Sequence, residues 1–247
     1  MLSPKIIHLL ETESTNLALR LMLRDETLPN TSIVWADYQT KGRGQTGSSW
    51  ESSPGMNLLC SIVFYPTHLP ANQSFAILES VALSVKSTLA RYVPDVTIKW
   101  PNDIYWQHQK ICGILIENDI VAGNITRSII GIGINLNQTG FVSDAPNPVS
   151  LAMITGKEYD RLEILHQLHT DFQFYVNELE TGGADGLHQQ YCAALYRSEG
   201  FYIYKDAQGY FEARLHSVEP FGHLILERRD GTLSRYGFKE VEAIQNQ

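Results

Sequence analysis

The stretch K-G-R-G-Q-T-G-S-S-W-E-S-S-P-G-M-N, at residues 41–57, joins a glycine-rich loop to one arginine and one tryptophan. Its glycines lack a Cβ, so the backbone can take positive φ and press N–H groups against an anion. Those in the first half of the stretch are Gly42, Gly44 and Gly47. Arg43 offers five planar donors to phosphate or carboxylate, and Trp50 offers a flat face to a ring. The stretch predicts a nucleotide or anion site, although a solvated loop or a loose RNA-binding segment also fits it.

Regular elements flank this loop on both sides. Apolar, β-rich runs predict strands at residues 33–38 and 58–64, so the loop connects two strands. Upstream, Ser14 or Thr15 caps a helix with apolar positions at 17, 21 and 23. Downstream, spacing predicts helices at 75–92, 161–179 and 184–196 and strands at 96–100, 111–117 and 127–135, with a short strand between turns at 101–103 and 107–110.

The last part of the chain has a different pattern. Residues 201–244 alternate in short runs separated by Gly209, Gly222 and Gly231, which predicts a small β-barrel-like module. A mixed sheet backed by helices, followed by short strands, indicates an α+β main domain and a β module. We expect the domains to be residues 1–197 and 198–247, and we expect residues 139–148 to form an irregular surface connection.

Composition narrows the class of protein. The 247 residues are 43% hydrophobic and carry a formal net charge of −8, which disfavours binding to a polyanion. No segment approaches the ~18 apolar residues that a membrane span needs, and the N-terminus lacks a cleavage pattern. We therefore expect a cytoplasmic protein with no membrane partner. Three widely spaced cysteines, Cys60, Cys112 and Cys192, favour reduced thiols over disulfides or a zinc site, and no metal cage is visible.

Four polar constellations lie at the ends of predicted elements, which suggests one composite site. Besides residues 41–57 they are Ser14-Thr15-Asn16, Lys99-Trp100-Pro101-Asn102-Asp103 with Lys110, and Gly131-x-Gly133-x-Asn135. Each has a plainer interpretation alone. The first is an ordinary helix cap, and an isolated lysine at position 110 favours solvent. The glycine motif lacks a third glycine and a following helix, so it is a weak match to a dinucleotide fingerprint.

Together these segments resemble the biotin protein ligase family, the enzymes that attach biotin to carboxylase carrier domains. The resemblance extends over most of the chain, and several spaced motifs in the right order make it specific. The matching segments are Glu13-Ser14-Thr15-Asn16, Tyr38-Gln39, Gly42-Arg43-Gly44, Trp50, Gly55-x-Asn57-Leu58, Lys99 to Asp103, Lys110-x-x-Gly113-Ile114-Leu115-x-Glu117 and Gly131-x-Gly133-x-Asn135-x-Asn137.

The resemblance implies a fold and a reaction. The fold is a biotin/lipoate ligase catalytic domain, similar to class II aminoacyl-tRNA synthetases, followed by a small SH3-like β-barrel. In the reaction, biotin and ATP give biotinyl-5′-AMP and pyrophosphate, and a lysine of the biotin carboxyl carrier domain then displaces AMP. ATP and biotin are the substrates, and Mg²⁺ screens the pyrophosphate. The enzyme would be a monomer or a homodimer.

The resemblance also implies roles for individual residues. Lys110 and Arg43 would stabilise the charge at the phosphate, and Asp103 would orient or deprotonate the acceptor lysine. The residues that match biotin-binding positions are Ser14, Thr15, Asn16, Gln39, Gly42, Arg43, Gly44, Gln45, Lys110 and Gly113. The residues that match ATP- or adenylate-binding positions are Arg43, Trp50, Asn102, Lys110 and Asn135. The ligands of magnesium stay open.

Two departures from the family pattern concern the loop and the N-terminus. Well-known members continue the loop as Gly-Arg-Gly-Arg-Arg-Gly, whereas this chain places the neutral Gln45 and Thr46 after Gly44. Some members carry an N-terminal helix-turn-helix, but only 13 residues precede Ser14 here, so we expect no DNA partner.

Three other functions compete with this interpretation. A lipoate or octanoate ligase uses a related sheet, but those relatives lack the Lys-Trp-Pro-Asn-Asp run. A non-catalytic biotin-binding module would not need Arg43, Lys110, Trp50 and Asn135. An RNA-binding glycine-arginine loop conflicts with the acidic charge and the absence of further Arg-Gly repeats.

The neutral side chains in the loop generate a first prediction. If Gln45 replaces a charged contact with a neutral one, Gln45→Arg should slow release of the adenylate. The check is to form biotinyl-adenylate on the enzyme and time its release. An unchanged rate would show that this position does not govern retention.

Overall fold

The computed structural model describes residues 3–45, 47–143 and 147–244. Most of its strands belong to one mixed sheet of seven. These strands are β1 (Ile6–Thr12), β2 (Ile33–Gln39), β3 (Leu58–Phe64), β4 (Val96–Lys99), β5 (Asp103–Trp106), β6 (Gln109–Val121) and β7 (Asn124–Ile134). Their order across the sheet is β1-β2-β3-β7-β6-β5-β4, with β1 and β2 parallel and the other neighbours antiparallel.

Helices cover the two faces of this sheet unequally. They are α1 (Thr15–Asp25), α2 (Phe75–Leu89), α3 (Leu151–Thr155), α4 (Arg161–Glu180) and α5 (Ala184–Ala193). On one face, the main apolar core joins strand residues such as Ile62 and Ile130 to α2 and α4. On the other face, α1 contributes Leu19 to a smaller cluster that contains Val63 and Ile129. Because side chains alternate along a strand, neighbouring residues serve opposite faces.

The C-terminal residues form a second, antiparallel sheet of five strands. They are β8 (Tyr202–Asp206), β9 (Gly209–Val218), β10 (Leu224–Arg228), β11 (Leu233–Tyr236) and β12 (Glu242–Ala243). The order β11-β10-β9-β8-β12 runs from edge to edge, so these strands as described do not close into a barrel. Trp100 attaches the second sheet to the first, since its Nε1 donates to the carbonyl oxygen of Gly222 at 3.0 Å.

Most predicted elements are confirmed, including the order of a mixed sheet, helices and a β module. The largest difference is β1, because the sequence analysis predicts no strand at residues 6–12. The predicted turn at 107–110 is shorter than expected, because β6 begins at Gln109 and so contains Lys110. The described parts of the 139–148 connection are irregular, while residues 144–146 lie outside the described residues. The domain boundary at 197/198 stays a prediction.

The state of the cysteine thiols agrees with the sequence interpretation. All three cysteines are free, and Cys60 and Cys112 are buried. Burial raises the pKa of the Cys60 thiol to about 12, so this thiol stays protonated. Within the described residues, no helix combines the length and the apolar character that a membrane span requires.

Candidate active site

A cavity of about 330 Å³ lies between the large sheet and the C-terminal sheet. Its floor follows one cross-strand row of the large sheet, in which Gly133 pairs with Gly113, Gly113 pairs with Asp103, and Asp103 pairs with Lys99. Paired residues of an antiparallel sheet point to the same face. The row therefore runs from bare backbone on β7 and β6 to charged side chains on β5 and β4.

The indole ring of Trp50 lies on the part of the floor that glycines form. A Cβ on Gly113 would lie 2.8 Å from Cζ3 of Trp50, and one on Gly133 would lie 2.6 Å from its Cε2. Gly131 is equally crowded, because a Cβ there would lie 2.5 Å from Oδ1 of Asn16. The Gly131-x-Gly133 motif thus leaves room for the Trp50 ring and the Asn16 side chain on the sheet surface.

A polar recess forms at the β3 and β7 end of the cavity. Both the N–H and Oγ1 of Thr15 donate to Oε1 of Gln39, at 2.8 and 3.0 Å. Oγ of Ser61 lies 2.7 Å from Oγ1 of Thr15 and 2.6 Å from Oδ1 of Asn16. Ser14, Thr15 and Asn16 are all buried, and Ser14 also caps α1. The helix cap and the recess are therefore one structure, not alternatives.

Glu117 connects this recess to the loop arginine. Asn16 donates through Nδ2 to Oε2 of Glu117 at 2.9 Å, and a guanidinium nitrogen of Arg43 lies 3.7 Å from the same oxygen. Arg20 approaches that oxygen from α1 at 3.9 Å. Arg43 is half exposed, so its charge remains available to a ligand at the cavity mouth.

The centre of the cavity holds an ion pair. Nζ of Lys110 lies 2.6 Å from Oδ1 of Asp103, and both side chains are about a quarter exposed. Nζ also lies 5.7 Å from the centre of the Trp50 ring. Lys110 therefore points into the cleft and not into solvent, which corrects the expectation for an isolated hairpin lysine. A β-bulge between Ile104 and Tyr105 shifts the register of β5 against β6, so that Tyr105 pairs with Lys110.

The glycine loop folds as a small hairpin over the cavity. Trp50 donates its N–H to the carbonyl oxygen of Gly42, and Gly44 donates to that of Ser48, each at 2.9 Å. A Cβ on Gly42 would lie 2.4 Å from the carbonyl oxygen of Trp50. Positive φ occurs at Gly47 but not at Gly42 or Gly44, so close approach within the hairpin explains the first glycine. Thr46 lies outside the described residues.

Two asparagines of the predicted adenylate set differ in position. Asn102 lines the cavity and donates to the carbonyl oxygen of Ile114 at 2.6 Å. Asn135 is buried, does not line the cavity, and donates to the carbonyl oxygen of Val149 at 3.1 Å. Gly42 also lies outside the lining. The ligand roles of all the predicted site residues stay predictions, including those of Gly42 and Asn135. The structure gathers the other predicted site residues around one cavity; they are Ser14, Thr15, Asn16, Gln39, Arg43, Gly44, Gln45, Trp50, Asn102, Asp103, Lys110 and Gly113.

The buried side chain of Asn57 connects the end of the loop to residues 136–138. Asn57 donates to Oε1 of Gln138 at 2.8 Å and accepts the N–H of Leu136 at 3.0 Å. Glu51 accepts N–H groups of Val142 and Ser143. Burial works to raise the pKa of Glu51, but these donors outweigh it and lower the pKa. The carboxylate therefore stays ionised and holds the 138–143 segment against the loop.

Sequence reasoning missed several residues of this site. Ser61 sits in an apolar run and gives no local signal, since only the pairing of β3 with β7 brings it under α1. Lys99 and Glu117 belong to quoted motifs, but no role was assigned to them. Tyr196 and Arg197 follow α5 and reach the cavity because the chain there pairs with β4, where Ile98 exchanges backbone hydrogen bonds with Ala194 and Tyr196.

The residues that line the cavity do not form a metal cage. Among the described residues, no three His, Cys, Asp or Glu side chains gather closely enough to hold an ion. Magnesium prefers substrate phosphates and water over an all-protein site. An ion that enters with a nucleotide would thus be held mainly by that nucleotide, and we assign it no protein ligands.

Comparison with protein families identifies the family of this chain. The model of the Biotin/lipoate A/B protein ligase family matches residues 10–135. This is just over half of the chain. The protein belongs to this family. The matched region contains the polar recess, the loop and the Lys110–Asp103 pair, so the family assignment and the cavity rest on the same residues.

Individual relatives agree with the family assignment. The biotin--[acetyl-CoA-carboxylase] ligase of Paracoccus denitrificans is 28% identical over 232 residues, covering 88% of this chain and 92% of the relative. The bifunctional ligase/repressor BirA of Bacillus spizizenii is 28% identical over 223 residues, covering 87% of this chain and 67% of the relative. The biotin protein ligase from Aquifex aeolicus in complex with biotin and ATP has the same fold, with a TM-score of 0.77, 23% identity and coverage of 98% and 99%.

The glycine floor predicts a structural effect that needs no ligand. Gly133→Ala should push the Trp50 indole off the sheet, because the new Cβ would overlap the ring. In a chain labelled with 5-fluorotryptophan, the ¹⁹F resonance of Trp50, assigned with Trp50→Phe, should shift while that of Trp35 stays in place. Gly186→Ala is the control, since nothing lies within 4 Å of its Cβ position. An unmoved Trp50 resonance in Gly133→Ala would contradict the packing.

Proposed function

We propose that this protein is a biotin protein ligase. It joins biotin to ATP as biotinyl-5′-AMP with release of pyrophosphate, and it then transfers biotin to a lysine of a biotin carboxyl carrier domain. The observation that carries the proposal is a buried polar recess that opens, within one cavity, onto the Lys110–Asp103 pair. The relatives named as biotin ligases support the same reaction.

The recess would bind the ureido ring of biotin. That ring has N–H donors and a carbonyl acceptor, and leaving such groups unpaired in a buried site costs on the order of 2–7 kcal/mol. Ser14, Thr15, Asn16 and Gln39 offer both donors and acceptors, already ordered by their contacts with one another and with Ser61. The preformed network reduces the entropy that binding would cost.

Adenylate formation brings two anions together. The biotin carboxylate attacks the α-phosphate, so positive charge must sit where the phosphoryl oxygens become more negative. Lys110 lies at the middle of the floor, beside the polar recess that would bind biotin. Arg43 stands at the loop side of the same cavity. These two cations would hold the carboxylate and the phosphate in contact, and the hairpin over them would exclude water.

Transfer needs a neutral lysine from the carrier. Asp103 forms an ion pair with Lys110 at 2.6 Å, and this contact fixes the position of the carboxylate. When the adenylate phosphate draws the charge of Lys110, Asp103 becomes available to orient the acceptor ammonium and to take its proton. The amine then attacks the mixed anhydride, an amide bond forms, and AMP leaves with the electron pair of the broken C–O bond.

The acceptor would be the carrier domain of a biotin-dependent carboxylase, and ATP would bring magnesium with it. The cytoplasmic location and the monomeric or dimeric state stay predictions. A lipoate or octanoate ligase is the nearest alternative within the family, and the donors and acceptors of the recess favour the ureido ring over an apolar acyl chain.

Replacing the central lysine tests the proposed reaction. Lys110→Ala should lower biotin-dependent exchange of pyrophosphate into ATP by ~10²–10³, the usual loss for one charge-stabilising donor. Lys157→Ala is the matched control, because Lys157 is exposed and outside the cavity lining. Wild-type exchange in Lys110→Ala would refute the role of this residue. Exchange that the wild-type protein performs with lipoate but not with biotin would overturn the substrate.

A further inference from the structure

A nucleophilic side chain lies outside the cavity, in a cluster that the proposed reaction does not use. Sγ of Cys192 lies 3.6 Å from Nε2 of His188, which is one helical turn earlier on α5. Nδ1 of the same imidazole lies 2.6 Å from Oε1 of Glu79 on α2. A thiol, an imidazole and a carboxylate in this order are the parts of an activated cysteine nucleophile. We call Cys192, His188 and Glu79 the α5 thiol cluster.

The carboxylate of the α5 thiol cluster fixes the orientation of the imidazole. The side chain of Glu79 is 2% exposed, and that of His188 is 21% exposed. Burial raises the pKa of Glu79 to about 7, although the contact with His188 lowers it. Above that pH the ionised carboxylate can only accept a hydrogen bond. Nδ1 of His188 therefore carries the proton, and Nε2 presents its lone pair to the thiol.

The thiol of the cluster is protonated at rest and accessible to a small reagent. Burial and the charge of the carboxylate raise the pKa of Cys192, while the backbone N–H of Val218 lowers it. A base must therefore take the proton as the sulfur attacks, and Nε2 of His188 is placed to do so. Cys192 is only half-buried, whereas Cys60 and Cys112 are 0% exposed. A small reagent can thus reach the first thiol and not the other two.

The α5 thiol cluster lies where α5 meets the C-terminal sheet. Val218, whose N–H faces Sγ of Cys192, is the last residue of β9 and is buried. In the turn that follows, Gly222 accepts the indole N–H of Trp100, and a Cβ on Gly222 would lie 2.6 Å from the ring of Phe75. The packing is close here, so a group attached to Sγ would push the end of β9 and its turn away from α5.

From this arrangement we propose that Cys192 is a modification site for low-molecular-weight disulfides, with His188 as its base and Glu79 as the residue that positions the base. The sulfur of Cys192 attacks one sulfur of the disulfide, and the S–S bond breaks. The leaving thiolate departs with the electron pair, and the thiol proton passes to it through Nε2 of His188. The products are a mixed disulfide and one free thiol, so the protein sulfur is oxidised and the leaving sulfur is reduced. The attached group then separates α5 from β9.

Reaction with dithiodipyridine tests the site without biotin or ATP. The folded full chain should release a single equivalent of pyridinethione, and mass spectrometry should place the mixed disulfide on Cys192. His188→Gln should slow the release about a hundredfold, because a positioned general base typically contributes at least that much. Glu79→Gln should also slow it, since a neutral amide stabilises the imidazolium less. His166→Gln is the matched control, because His166 is an exposed residue of α4, and it should leave the rate unchanged.

The direction of the rate change separates the chemistry from a folding defect. A variant that loosens the structure would expose Cys60 and Cys112, so it would release more thione and release it faster. Loss of the base slows the release and leaves those two thiols unmodified. Equal rates in His188→Gln and the wild-type protein would overturn the proposal. Modification of Cys60 or Cys112 ahead of Cys192 in the wild-type protein would overturn it as well.

The indole of Trp100 reports whether the attached group separates α5 from β9. In a chain labelled with 5-fluorotryptophan, modification should shift the ¹⁹F resonance of Trp100, assigned with Trp100→Phe, and leave that of Trp35 in place. Complete modification of Cys192 with an unmoved Trp100 resonance would contradict the separation. None of these measurements involves the ligase reaction, so the modification site can fail while the proposed function stands, and the reverse.

Discussion

The cavity exists because three positions on adjoining strands carry no side chain. Gly113, Gly131 and Gly133 lie on β6 and β7, and a Cβ at any of them would overlap Trp50 or Asn16. Without these glycines the indole could not lie flat on the sheet, and α1 could not bring Asn16 down to the strands. In a mixed sheet, packed side chains normally cover both faces. A strip of three glycines lacks those side chains and therefore loses the packing that would stabilise a core. The polar recess, the loop hairpin and the central ion pair all take their positions from this strip.

Chemistry is laid out along the strip in the order of the strands. Buried hydrogen-bonding groups stand over β3 and β7, Lys110 stands on β6, and Asp103 and Lys99 follow on β5 and β4. The neutral hydrogen-bonding groups and the charged side chains therefore lie a few strand spacings apart in one cavity. The C-terminal sheet completes the far wall, anchored by Trp100 and Arg197. The proposed reaction needs this linear order, because its two substrates meet end to end.

The sequence allowed prediction of much of this fold, and the limits have physical causes. Strands with strong apolar or alternating patterns were found, and β3 was predicted with its observed ends. β1 was missed because Ile6, Ile7, Leu9 and Leu10 do not alternate with polar residues, so this edge strand lacks the period-two pattern of a half-buried strand. Site residues within motifs were predicted because glycine, tryptophan, proline and charged residues cluster at those positions. Ser61 and Arg197 were missed because only long-range backbone pairing brings them to the cavity, β3 with β7 for Ser61 and residues 194–196 with β4 for Arg197. Lys110 was ambiguous because a lysine near a turn gives no information about its direction.

A crystal structure with a non-hydrolysable biotinyl-adenylate analogue tests the central claim most directly, since the claim concerns the order of groups along the sheet. The account predicts the ureido ring within hydrogen-bond distance of Ser14, Thr15 or Gln39 and the phosphate mimic beside Lys110. A ligand bound in the reverse direction, with its ureido ring at Lys99 and its phosphate mimic in the recess, would contradict it.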